Sequence, residues 1–332
     1  MSLRETVVEA IKGKEGFVPW LEIETRDELV AKTLKVNEVD WKERVEYAKL
    51  VGIDCIAINH WDRFGNEMYE RDGILGFNPL IKERSDLSKL KFPKLDPKAL
   101  RQRAIEAREA IGDSELALHV AHPLCFDPII IDMGFENFCY KFYDDIEFIH
   151  IMLEQYTQYY CELDAIYSEM PEIDFIWVGE DIAFNSGPYI RPEDFREVVL
   201  PYYKRIVNNI KKPWIYHSDG NIVPVVDDLL SLGMDALHPF QPDVMDIFSL
   251  KHTIGQKVTM VGNVDLNLLV TGKPEEVKAA VFKLMENCSP GGKYILSSSN
   301  SLANYVNPDN VIAMGEAKRA WNEGRQKANF AG

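Results

Sequence analysis

The chain lacks several features that would assign it to an easy class. Its five cysteines, Cys55, Cys125, Cys139, Cys161 and Cys288, are odd in number, and no two have CxxC spacing. A disulfide framework is therefore not expected, and a reducing cytoplasm suits the composition. Basic residues are scarce beside acidic ones: 37 Lys and Arg against 53 Asp and Glu, a formal net charge of −16. Nucleic-acid binding depends on clustered cations at the phosphates, so that class is set aside, whereas a small anionic substrate, which needs only one or two local cations, is not. No apolar run approaches the roughly 18–20 residues that a membrane helix requires, and Met1-Ser-Leu-Arg-Glu-Thr6 opens without the apolar stretch of a secretory signal. Low-complexity linkers and short repeats of fixed period are missing as well, so the 332 residues read as one domain, 1–332.

What the sequence does contain is alternation. Short β-rich runs recur at 54–60, 116–122, 175–180, 213–217, 236–238, 258–263 and 293–297, with 17–21 as an opening strand. Helix-like segments lie among them at 41–51, 97–112, 145–170, 193–211, 222–232, 243–254, 274–288 and 308–326. About eight strand–helix units predict an α/β fold, a single (β/α)8 TIM barrel. Pro192 ahead of Glu193-Asp194, and Pro274 ahead of Glu275-Glu276, place proline and acids in a first helical turn. Residues 63–96 and 123–144 fit neither pattern and are expected as long loops over the C-terminal mouth.

In such a barrel the side chains at the C-terminal strand ends face the mouth, and here those ends are polar. They carry His60, Trp61 and Asp62; His122; Glu180 and Asp181; His217 and Asp219; His238; Asn263; and Asn300. A core would not place charge at so many equivalent points. His217-Ser-Asp-Gly-Asn221 is the sharpest group. Two residues apart on a strand end, His217 and Asp219 point to one side, where imidazole nitrogen and carboxylate oxygen suit a divalent metal. Glu180 on the preceding strand is the expected third ligand. The alternative is that Asp219 caps the next helix while His217 bonds substrate. Asp62, Asp181 and Glu180 are the expected acid–base groups. His60, Trp61, His122, His238, Asn263 and Asn300 are the expected substrate contacts, with Trp61 suited to a flat aromatic ligand.

The second half carries a family resemblance in ordered motifs: Gly179-Glu-Asp181, Arg191-Pro-Glu-Asp-Phe195 with Leu200-Pro-Tyr202, His217-Ser-Asp-Gly-Asn221, Ala236-Leu-His-Pro-Phe-Gln-Pro242, Gly262-Asn-Val-Asp265, Gly291-Gly-Lys-Tyr-Ile-Leu296 and Pro308-Asp-Asn-Val311. Over roughly 170–320 the chain resembles the uroporphyrinogen decarboxylase superfamily. One branch of that superfamily is a metal-free decarboxylase whose N-terminal Arg-Gln-Ala-Gly-Arg run grips propionates; this chain has Val18-Pro-Trp-Leu-Glu22 near there instead. The other branch holds cobalamin-dependent methyltransferases that work with a corrinoid protein. Its coenzyme M enzymes bind zinc through His-x-Cys and a later Cys. His217 matches the histidine, Asp219 stands at the first cysteine, and Asn300 stands at or near the second.

The resemblance implies a methyltransferase that moves a methyl group from a small methylated donor, with a methoxyarene (O-demethylation) as the best expectation. The acceptor is Co(I) of a corrinoid (cobalamin) carried by a partner protein, and zinc or an acid activates the leaving oxygen; acidic barrels of this type often pair, so a homodimer is one arrangement left open. The competing expectations are a decarboxylase using Arg63, Arg71 and Lys251 as a cationic clamp, and a non-catalytic tetrapyrrole-binding protein.

Overall fold

A computed structural model describes residues 1–71 and 74–331; the side chains at 70, 71, 74, 75 and 326–331 lie outside the description. Seven strands form one sheet: β1 Cys55–Asn59, β2 Ala117–His122, β3 Phe175–Gly179, β4 Trp214–His217, β5 Ala236–His238, β6 Thr259–Val261 and β7 Tyr294–Ile295. Each pairs in parallel with its neighbour in chain order. The segment around Trp20 closes the circle. Trp20 bridges Leu296 in parallel, Leu21 N–H donates to the Leu296 carbonyl at 3.0 Å, and Asp54 N–H donates to the Trp20 carbonyl at 2.9 Å. Eight segments thus surround one core, as the alternation predicts. β2, β3 and β4 are buried at every residue, as expected of parallel strands covered on both faces.

The closing segment is held by the last helix, Pro308–Ala331. Asn322 accepts from Val18 N–H at 2.9 Å and donates to the Val18 carbonyl at 3.0 Å, while Lys318 pairs with buried Asp54. Gly315 is required where this helix crosses Val51, because a Cβ there would lie 1.6 Å from the Val51 carbonyl oxygen. Helix boundaries follow local chemistry. Trp41–Val51 starts at a capping box of Asp40 and Glu43 and stops at Gly52 with φ 97°. Pro274–Cys288 begins with Pro274 in its first turn. The expected helix 193–211 is broken: a π turn at Phe195–Val199 joins Pro192–Asp194 to Leu200–Val207 beside Pro201.

The two expected loops differ. Residues 63–96 hold an antiparallel hairpin, Glu67–Arg71 with Ile74–Asn78, and a short 3-10 turn, Arg84–Lys89. Residues 123–144 are not a loop excursion but two helices, Phe126–Met133 and Phe135–Asp144, parted at Gly134. Among the described residues no helix is long and apolar enough to cross a membrane.

Candidate active site

His217 ends β4, in register with Gly179 of β3 and His238 of β5. Its Nδ1 lies 2.7 Å from Nδ1 of His238, and the two rings stack at 4.9 Å. His238 is fully buried, and its Nε2 lies 3.1 Å from the Ser298 carbonyl. Burial, then the neighbouring His217, holds His238 well below the usual histidine range, so it is neutral. A carbonyl only accepts, so His238 carries its proton on Nε2 and presents a bare Nδ1. In the neutral His217 ring Nδ1 is then the donor, and the Nε2 lone pair faces the mouth.

The turn after β4 brings carboxylates to that lone pair. Asp219 N–H donates to Asp181 Oδ1 at 2.9 Å, and Ser218 Oγ accepts from Ile182 N–H at 3.1 Å, tying the β3 and β4 ends together. Gly220, with φ 80°, fits under the Ala183–Pro188 hairpin only because it lacks a Cβ, which would sit 2.3 Å from the Ala183 carbonyl oxygen. His217 Nε2 lies 3.6 Å from Asp181 Oδ1 and 3.8 Å from Asp219 Oδ1. The three ligand atoms sit within 4.8 Å of one another. Asn300 Nδ2 donates to Asp219 Oδ2, while Asp219 Oδ1 is buried without a hydrogen-bond partner. Burial pushes the Asp219 carboxyl up to about 6; His217 pulls it down and Asp181 raises it further. Ligands about 2.0–2.1 Å from a tetrahedral zinc stand about 3.4 Å apart, so this donor set fits such an ion with small adjustment. The unpartnered Asp219 oxygen is the atom such an ion would satisfy.

Glu180 does not join this cluster, contrary to its expected roles as ligand and acid. It is fully buried, and its oxygens accept from the N–H groups of Leu124 at 2.8 Å, Phe126 at 2.6 Å and Asp127 at 3.1 Å, and from Tyr203 Oη at 2.7 Å. Burial pushes its carboxyl up to about 7 despite those donors. It pins the start of helix Phe126–Met133. Asp181, the next residue, takes the place at the cluster.

The other expected contacts divide. Trp61 is exposed over the mouth, its ring against Gly179, where a Cβ would come 2.7 Å from Cη2. His60 is engaged at both nitrogens, Nδ1 at 2.8 Å from Tyr167 Oη and Nε2 at 2.8 Å from Asp62 Oδ2, and Asp62 also accepts from Tyr159. His122 turns away from the mouth. It is fully buried, its Nε2 2.8 Å from Asp164 and its Nδ1 2.8 Å from the Pro123 carbonyl, so it contacts helix Ile146–Ser168 instead of a ligand. His238 stands behind His217, out of substrate reach. Asn263 is buried and donates to the Phe240 carbonyl, holding a residue with φ 60°. Lys251 donates to the carbonyls of Gly292 at 2.6 Å and Lys293 at 3.2 Å, at the far end of the barrel where β7 begins, so it is no part of a mouth clamp. The Arg71 side chain lies outside the described residues.

A small cavity opens on the cluster, and a larger one adjoins it. The small one, of about 130 Å³, is lined by Asp181, His217, Asn300, Trp61, Asp127 and Glu24. The larger one, of about 600 Å³, shares Trp61, Asp127 and Glu24 with it and continues to Asp62, Arg63 and Phe77. Asp127 was not foreseen from the sequence. It sits in the first turn of helix Phe126–Met133, and its carboxyl is pushed well above the usual range by burial, then by Asp181 and Glu180. Its signal was an acid five residues past a strand end, inside a segment that reads as loop.

A family model described as uroporphyrinogen decarboxylase (URO-D) matches residues 130–321. A uroporphyrinogen decarboxylase of Pseudoalteromonas translucida is 26% identical over 141 residues, 39% of this chain and 38% of that protein. A methylated-thiol–coenzyme M methyltransferase of Methanosarcina mazei is 26% identical over 148 residues, 43% of this chain and 38% of that protein. The chain thus spans less than two fifths of the length of either relative. A solved methyltransferase from Methanosarcina mazei superposes with a TM-score of 0.78 over 97% of this chain and 99% of its own, at 16% identity, which is likeness of fold.

Proposed function

The chain belongs to the uroporphyrinogen decarboxylase family, and from that premise we propose that it is a methyltransferase taking the methyl group of a small methyl ether, a methoxyarene, to Co(I) of a corrinoid carried by a partner protein. The family's relatives include both decarboxylases and methyltransferases. The observation that carries the reading is the Asp181–His217–Asp219 cluster, with one buried carboxylate oxygen unpartnered, opening on a cavity beside Trp61. Asp181, His217 and Asp219 would hold a zinc ion, which when bound supplies a Lewis acid for the leaving oxygen. Two carboxylates and one imidazole make a harder donor set than thiolates, which suits an oxygen leaving group better than a thiol.

In this reading the C–O bond breaks as the carbon–cobalt bond forms, cobalt passes formally from +1 to +3, and the aryl oxygen takes a proton. Ser298 and His238 keep the His217 lone pair directed at the mouth. Asn300 fixes one oxygen of Asp219 and so orients the other. Asp127 lines both cavities and is the acid placed to supply the proton, help typically worth about 10²–10⁴-fold, while Asp62 is occupied by Tyr159 and His60. Trp61 offers its ring to a flat donor.

The decarboxylase reading needs cations to grip several carboxylates. Lys251 is at the wrong end of the barrel, and of the expected clamp only Arg63 lines the larger cavity among the described residues. The test is to mix the protein with reduced corrinoid protein and a panel of methoxyarenes and follow the cobalt spectrum. Formation of methyl-Co(III) that requires this chain supports the reading. Release of CO2 from a carboxylate substrate, with no change at cobalt, overturns it.

A further inference from the structure

The larger cavity has a charge that the methyl-transfer reading does not itself specify. Five of its lining residues are acids, Glu24, Glu28, Asp62, Asp127 and Asp132, against two cations, Arg26 and Arg63. One guanidinium is spent on an acid, and the other lies along the wall. Arg26 Nη1 lies 3.1 Å from Glu24 Oε1. Arg63 lies flat over Phe77, with Cζ 4.5 Å from the ring centre, and its Nη2 is 3.3 Å from Met68 Sδ. The inner acids are held by tyrosines: Asp62 accepts from Tyr159 and His60, and Asp132 from Tyr156 and Asn66. Trp61, Phe64, Phe77 and Ile131 supply the apolar wall.

Such a space has room for one aromatic ring with its substituents and offers a surplus of negative charge around it. Resting on the methyl-ether reading, we infer that this cavity is the donor pocket and that it selects an uncharged methyl aryl ether over one bearing a carboxylate or sulfonate. The acidic lining repels an anion in a partly enclosed, low-dielectric space, where like charge is costly. The aromatic and aliphatic wall holds a neutral ring equally well whatever the charge of the rim. Asp127 adds no charge to that lining, because burial, then Asp181 and Glu180, raises its carboxyl; Glu24, Glu28, Asp62 and Asp132 outnumber the two cations without it.

The experiment is isothermal titration of the full chain, near neutral pH, with a matched pair: 2-methoxyphenol, which is neutral, and 4-hydroxy-3-methoxybenzoate, which adds one carboxylate. The neutral compound is expected to bind at least about tenfold more tightly. Glu28, exposed in the first turn of helix Asp27–Leu34, gives the variant. Glu28→Lys should narrow that ratio several-fold while circular dichroism shows an unchanged fold. Equal or tighter binding of the benzoate to the unaltered chain overturns the inference and leaves the methyl-ether reading standing. So does a ratio that Glu28→Lys does not move. If neither compound binds the unaltered chain, the methyl-ether reading itself fails, and the inference falls with it.

Discussion

Two pairs of histidines end neighbouring strands of this barrel, and the fold treats them differently. On β1 and β2, His60 has both ring nitrogens hydrogen-bonded, while His122 has Nδ1 hydrogen-bonded and Nε2 packed 2.8 Å from the Asp164 carboxylate, sealed from the mouth. Tyr167 and Asp62 take His60, and Asp164 and the Pro123 carbonyl take His122. Two of those partners, Tyr167 and Asp164, come from helix Ile146–Ser168. On β4 and β5, His238 is spent on the Ser298 carbonyl and on His217, which leaves one nitrogen of His217 free at the mouth beside two carboxylates. A polar strand end is therefore not a site by itself. What makes one here is that free atoms of His217 and Asp219 meet beside a cavity.

The contrast can be broken most severely at His217. His217→Ala should abolish tight zinc binding and lower methyl transfer by about three orders of magnitude or more, with the fold intact; metal content per chain and the cobalt spectrum report both. His122→Ala should do the reverse. It leaves Asp164 buried and unpaired, so we expect a loss of about 3–5 kcal/mol in urea unfolding with zinc binding preserved. A third variant, His238→Phe, removes the partner that sets the tautomer of His217. Zinc affinity should weaken about 10–100-fold, far less than for His217→Ala, and a nitrogen-15 spectrum should show His217 no longer fixed with its proton on Nδ1. The smallest effect concerns pH. Glu180 and Glu22 are both pushed up by burial from an ordinary 4.5 to about 7. The folded chain then keeps protons that the unfolded chain has released, so the contribution of these two groups to stability is fully present below about 4.5 and is lost as pH rises toward 7. Glu180→Gln should make that decline shallower; an unchanged slope in urea unfolding across the interval would contradict the assignment.

Much of this was legible in the sequence. The strand series and the helices 41–51 and 274–288 carry their own boundaries in period, proline and capping residues, because those signals are local. The His217-x-Asp219 spacing likewise survives folding, since the turn that delivers it is built from Ser218 and Gly220 within the motif. The choice between Glu180 and Asp181 was not legible. β3 ends at Gly179, and beyond a strand end the alternation of faces no longer decides where a side chain points. Glu180 is drawn inward by N–H groups 53 to 56 residues away, in a segment that reads as loop. His60 and His122 were misread for a similar reason: the tyrosines and the aspartate that occupy them lie 42 to 107 residues further along the chain. Local pattern locates a strand end, but tertiary partners decide whether its side chain stays available.

The central claim is that Asp181, His217 and Asp219 form a cation site completed by the His217 lone pair. It is tested most directly by growing crystals with zinc and collecting diffraction on either side of the zinc absorption edge. The account predicts one strong anomalous peak about 2.0–2.2 Å from His217 Nε2 and from an oxygen of each aspartate. A zinc-soaked crystal with no peak among these three residues, or with zinc bound elsewhere, would contradict it.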